Sequence, residues 1–444
     1  FYESKMPDRD ATFIPIFDEL YGNHASALYR LIEWGLNYAS KQAFSDDVAE
    51  NCAIILSWLL ISPNNGLRDR TTKAMICILR SHMTALLSVM QKFDSIDDPY
   101  IAERIYCIAF GCAVNEESSH QITTLAKYVY KSVFDKDSVY PNILLRTYAK
   151  NILDYAHHIG CIESDCFDAK KITPPYNSEF PQIPSDEEIK TYKLDYNSES
   201  FEDHHWSQLA ILNSMKVEYS RSGQPGGYGD FGRYTFQSYF NAWKQLQPID
   251  LKNIAIKRIF ELGYDVEKHG EYDRNCTDHG GRGIRFGKKE RIGKKYQWIA
   301  LYELAAQVCD NYQMTVYDND IGEPHQEYSK GSFEPNIRNI DPTVLVTPNL
   351  GSLHIDGTTF VYDIPNNFYE EWLVDFSNTP TFEQCVKIQS GAHQYLMLTG
   401  EYDWKEPKRL GFRSYDLPRK DMWHQIRGYI VKNEYAESLI RALS

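Results

Sequence analysis

The densest run of chemistry-bearing residues lies between 269 and 298. There Arg274, Arg282, Arg285, Lys288, Lys289, Arg291, Lys294 and Lys295 are interleaved with glycines at 270, 280, 281, 283, 287 and 293. Backbone freedom beside fixed cations is suited to cradling phosphate or gripping an acidic protein surface. Ile292, Tyr296 and Trp298 would anchor the stretch while the cations project. Arg274, Arg282, Arg291, Lys294 and Lys295 are therefore the expected contact residues. The bland use of the same charges is a basic loop docked on the rest of the chain, which holds 61 acids against 47 bases.

Other groupings are weaker. Glu202-Asp203-His204-His205 offers metal-ligand types in sequence, but neighbouring histidines on an α-helix point apart, and no distant Cys or His pair supplies structural-zinc spacing. Asp273, Cys276, Asp278 and His279 could chelate, yet Asn, Asp and Gly together more often build a turn. Cys161 and Cys166 lack a matching second pair. No metal and no cofactor is expected. Gly223-Gln224-Pro225-Gly226-Gly227-Tyr228-Gly229 invites a phosphate-loop reading, but without a Gly-Lys-Ser or Gly-Lys-Thr ending it reads as a connector. Nucleophile elbows, His-Glu-x-x-His and EF-hand loops are absent from the sequence. Glu401-Tyr402-Asp403-Trp404-Lys405 has the residue types of a nuclease core, and its bland alternative is a surface turn closed by Trp404 and Pro407.

The positioning elements read as mainly helical. From about 9 to 160, apolar residues recur at spacings of three and four (Leu28, Leu31, Ile32, Leu36; Met83, Leu86, Leu87, Met90), which predicts seven or eight helices. Breaks fall at Ser62–Gly66, Asp97–Pro99 and Ser138–Pro141. An Arg-led helical pattern recurs at Arg70, Arg104 and Arg146, at steps of 34 and 42 residues, in the range of two-helix repeats. Residues 1–161 are thus expected to form an α-solenoid of HEAT or armadillo type. Acids nearby (Asp69, Asp98, Glu103) would explain the arginines as ion pairs between repeats, with no ligand needed. Residues 162–230 read as a Pro-, Ser- and Gly-rich crossing segment. Residues 231–320 read as a helical domain, with helices at Tyr234–Leu246, Asp250–Leu262 and Gln297–Tyr312 and Asp250 as an N-cap. Residues 321–444 read as a small α+β part, with strands at 343–347, at 354–363 around Asp356-Gly357, at 386–390 and at 394–399, then closing helices near 419–431 and 434–443.

Composition sets the outer limits. With 444 residues, 43% of them hydrophobic, the chain is globular rather than disordered, and a net charge of −14 argues against a general nucleic-acid clamp. Nine cysteines, several inside apolar helical text, read as reduced core thiols and place the protein in a cytoplasm. No apolar run reaches membrane-spanning length. An opening at Phe1 without Met and a close at Ser444 directly after helical text suggest a piece of a longer polypeptide.

Leu67-Arg68-Asp69-Arg70-Thr71-Thr72-Lys73-Ala74, Asp98-Pro99-Tyr100, Glu290 through Trp298 and Arg338-Asn339-Ile340-Asp341-Pro342-Thr343 together resemble the C-terminal portion of very large bacterial STAND-type NTPases of antiphage defence, the AVAST-like group. The resemblance spans roughly 60–444. It implies a helical-repeat sensor that grips a phage protein and triggers oligomerisation, preceded in the parent by an effector and an NTPase. With no Walker A text here, any ATPase would lie elsewhere, and no ligand residue is carried over. The expected function is macromolecular recognition of a protein partner, with self-association as a further possibility. The competing readings are a nuclease or phosphate-processing hydrolase using 401–405, and a structural scaffold.

Overall fold

The computed structural model describes residues 2–39, 43–163, 166–227, 229–278, 289–317, 324–333 and 340, and further on 387–390, 393–396, 399–405, 421–427, Glu437 and Arg441. The protein is mainly helical. Eight helices occupy the first part among the described residues: α1 (Met6–Gly22), α2 (Ala27–Asn37), α3 (Asp46–Leu59), α4 (Asn65–Leu79), α5 (Met83–Phe93), α6 (Pro99–Ala113), α7 (Ser119–Val129) and α8 (Ile143–His158). The breaks read from sequence become caps. Asn64 accepts the N–H groups of Gly66 and Leu67, Asp98 that of Tyr100 ahead of Pro99 in the first turn, and Asn142 that of Leu145.

The order of packing follows the chain. α2, α4, α6 and α8 lie side by side in succession, α3 packs on α4 and α5, and α7 packs on α8. α4 is buried on nearly every face, polar residues included, so its charges must find partners within the protein. They do so across the row: Arg70 pairs with Glu33 of α2, and Arg68 donates to the Tyr100 carbonyl at 2.7 Å and to Glu103 of α6 at 3.3 Å. Arg104 of α6 reaches back to Asp69 at 3.5 Å.

The crossing segment carries α9 (Ala169–Ile172), α10 (Asp186–Lys190) and α11 (Trp206–Ser214). It is followed by a π-turn at Gly232–Gln237 running into α12 (Ser238–Phe240), then α13 (Pro248–Glu261), α14 (Val266–Asp278) and α15 (Ile292–Asn311). Asp250 lies in the first turn of α13 rather than at its N-cap, which is Gln247. Residues 273–278, where Asn and Asp are expected to build a turn, belong to helix α14, and the helix expected from Gln297 starts at Ile292. α15 is the central strut, in contact with α1, α6, α8, α11, α13 and α14 and buried along most of its length. Gly229 and Gly232 lie so close to the backbone of 214–216 that an added Cβ would sit 2.4–2.6 Å from its atoms, so these glycines serve packing.

The chain divides into two compact units, 1–348 and 349–444. The first includes a hairpin of β1 (Met314–Tyr317) and β2 (Pro324–Glu327), antiparallel with Met314 opposite Glu327. In the second, β3 (Lys387–Ser390) pairs with β4 (His393–Leu396), and β5 (Thr399–Lys405) with β6 (Asp421–Arg427), both antiparallel. β6 occupies ground where a helix was expected, and Glu437 and Arg441 are helical and ion-paired at 3.2 Å. The strands expected at 343–347 and 354–363 lie outside the described residues.

Candidate functional site: the basic segment and its surroundings

The start of α15 is built by charge brought from far along the chain. Asp273 of α14 accepts the N–H groups of Ile292 at 2.5 Å and Gly293 at 2.9 Å, and the Tyr264 hydroxyl at 3.0 Å. It serves as the cap that Arg291 does not provide. Burial pushes its carboxyl up to about 6, against the pull of those donors. One turn on, the Lys295 ammonium sits 2.8 Å from Asp10 of α1 and 2.6 Å from Asp98 at the start of α6, and all three side chains are 0% exposed. Beside them the buried Arg9 guanidinium pairs with Asp97. Burial, reinforced by the neighbouring Asp98 carboxylate, raises the Asp10 carboxyl above its ordinary range while Lys295 pulls it down.

Lys295 is therefore removed from the expected contact patch. A fully buried ammonium between two carboxylates ties three helices together and is closed to any partner. Lys294 keeps only a sliver of surface, 3.6 Å from Asp230 and over the Phe231 ring at 4.7 Å. Its ammonium is shifted down by burial. Arg291 is largely covered and faces Glu290 at 4.0 Å. Arg274 is more open and donates to Asp203 at 2.8 Å. Arg282 lies outside the described residues. Of the five expected contact residues, the four that are described form no open field, because each faces a carboxylate of the chain itself.

The repeat arginines are likewise engaged in the interior. Arg146 of α8 donates to Asp310 of α15 at 2.8 Å and to the carbonyls of Tyr140 and Val139 at 2.7 and 2.6 Å. Asp310 also accepts the Tyr176 N–H at 2.8 Å, which fastens the crossing segment to the helices. Sequence reasoning could not find this pairing, because the partners stand 164 residues apart.

Three further features surround this frame. A cavity of about 580 Å³ has apolar walls from Met90, Phe93, Ile105 and Leu145 and a polar rim that includes Tyr140 and Arg258. The outer face of α3 exposes Val48 and Ile55, two turns apart, with the half-buried Cys52 between them. His204, His205 and Glu267 bring their ligand atoms within 4.8 Å of one another, the arrangement among the described residues that could hold a metal ion. Of the other chelating set, Asp273 is taken up by capping and His279 lies outside the described residues. Cys161 and Cys166 carry free thiols. Glu401, Asp403 and Lys405 occupy alternate positions of β5, so that text is strand rather than the turn expected of Trp404.

Among the described residues no helix is long and apolar enough to cross a membrane. The chain matches no family model, no curated protein and no solved structure.

Proposed function

We propose that the chain is a protein-recognition region in which the first eight helices act as an α-solenoid, the sensor part of a larger cytoplasmic antiviral defence protein. The observation that carries this reading is the packing order, with α2, α4, α6 and α8 stacked in one row and joined by Arg70–Glu33, Arg68–Glu103 and Arg104–Asp69. Helix pairs that each contact mainly their neighbours make an extended surface suited to gripping another macromolecule. The exposed Val48 and Ile55 on α3 give that surface apolar contact points. The resemblance to STAND-type defence proteins makes a phage protein the partner class, with assembly of copies as the consequence of capture. The basic residues Arg274, Arg291 and Lys294 then stand at the margin of recognition, since their charges face carboxylates of the chain.

The test is capture by the whole chain from lysates of infected and uninfected bacterial cells, read by mass spectrometry and repeated with Val48→Asp/Ile55→Asp. The reading expects one prey enriched only after infection and lost with the double substitution. Equal recovery from both lysates, or capture indifferent to α3, would overturn it.

A further inference from the structure

We infer that His204, His205 and Glu267 form a binding site for a divalent transition-metal ion of the zinc class. Adjacent histidines diverge on an α-helix, but these two occupy a 3₁₀ turn, Asp203–His205, that leads into α11. There the rings lie with centroids 4.2 Å apart and both Nε2 atoms face one carboxylate: His204 at 3.2 Å from Oε2 and His205 at 2.8 Å from Oε1 of Glu267. Donors around a tetrahedral zinc stand roughly 3.3 Å apart, so the two nitrogen–oxygen separations are already near ligand spacing. Two imidazoles and one carboxylate favour zinc-like ions over magnesium or calcium, which prefer all-oxygen sets.

The turn is held in place by contacts beyond the three ligands. Gly270 lets α14 approach the turn, because a Cβ there would sit 2.9 Å from the His204 carbonyl oxygen. Ser207 donates to the Gly270 carbonyl at 2.8 Å, and Arg274 holds Asp203 at 2.8 Å. The His204 side chain is 21% and the His205 side chain 13% exposed, while Glu267 opens to solvent. A fourth position is therefore free for water or a partner's side chain.

The second ring nitrogens assign distinct roles. With a metal on Nε2, His204 would carry its proton on Nδ1, which faces the Glu202 carboxylate at 3.5 Å and can donate to it. His205 Nδ1 accepts the Glu202 backbone N–H at 2.7 Å, so in the neutral ring its proton sits on Nε2. Metal binding moves that proton to Nδ1 and opens the cap bond. Glu202 is thus a positioning residue on both counts. Occupancy of the site is linked to the shape of the turn before α11.

The experiment is zinc titration calorimetry on the whole chain, purified without a histidine tag, with cobalt(II) absorption as a coordination readout. One zinc per chain and the strong visible bands of four-coordinate cobalt are expected. Glu267→Gln and His204→Ala should each weaken binding about tenfold or more, Glu202→Gln should weaken it less, and His82→Ala, at a separate His–Asp pair, should leave it unchanged. Glu267 is on the surface, so an unchanged melting curve for Glu267→Gln assigns its loss to the site even if His204→Ala fails to fold. No saturable uptake, or uptake that Glu267→Gln leaves intact, would overturn the assignment.

Discussion

The start of α15 and the turn at 202–205 both gather acids and bases from distant parts of the chain, yet they differ in access to water. At α15, Lys295, Asp10 and Asp98 are wholly enclosed, so their charges can stabilise only one another. At the turn, Glu267 and Asp203 are open and the histidines keep some exposure, so the same kinds of group remain available to an incoming ion. Charge density along the sequence is the same kind of signal in both places. Burial decides which cluster is framework and which can act.

The largest effect is expected at the buried end. Lys295→Met leaves Asp10 and Asp98 enclosed without a cation, and a loss of about 3–5 kcal/mol is expected by urea unfolding. Asp10→Asn has a smaller effect, visible as a change of pH profile. The Asp10 carboxyl is raised in the folded state, so in mildly acidic solution the unfolded chain gives up this proton first. Its contribution to stability is full below about pH 4 and lost as pH rises through the folded value. Asp10→Asn should flatten that decline, and a profile parallel to that of the parent protein would remove Asp10 as its source. The smallest effect belongs to the open end. Arg274→Ala, which removes the pair with Asp203, should change unfolding stability by less than about 1 kcal/mol.

Much of the framework was legible in sequence, and the limits of that reading have a physical cause. Spacings of three and four marked the first eight helices, and the breaks at 62–66, 97–99 and 138–141 carried the capping residues Asn64, Asp98 and Asn142. Local pattern failed where distant partners neutralise local charge. Lys294-Lys295 reads as loop until Asp10, Asp98 and Asp230 are placed around it. The end of α14, 273–278, reads as a turn because Asp and Asn there favour turns. The helix is fastened at both ends: His269 donates from Nε2 to the Pro7 carbonyl and accepts the Asp265 N–H at Nδ1, and Asp273 caps α15. On an α-helix the adjacent histidines would diverge; the 3₁₀ turn brings both rings to one carboxylate.

Burial, rather than the density of cations in the sequence, sorts this segment into framework and surface. Lys294 and Lys295 are neighbours of identical chemistry, so setting Lys294→Met against Lys295→Met in one urea titration tests it most directly. A loss of several kcal/mol is expected for Lys295→Met and of at most about 1 kcal/mol for Lys294→Met. Equal losses, or a larger one at Lys294, would contradict the role given to burial.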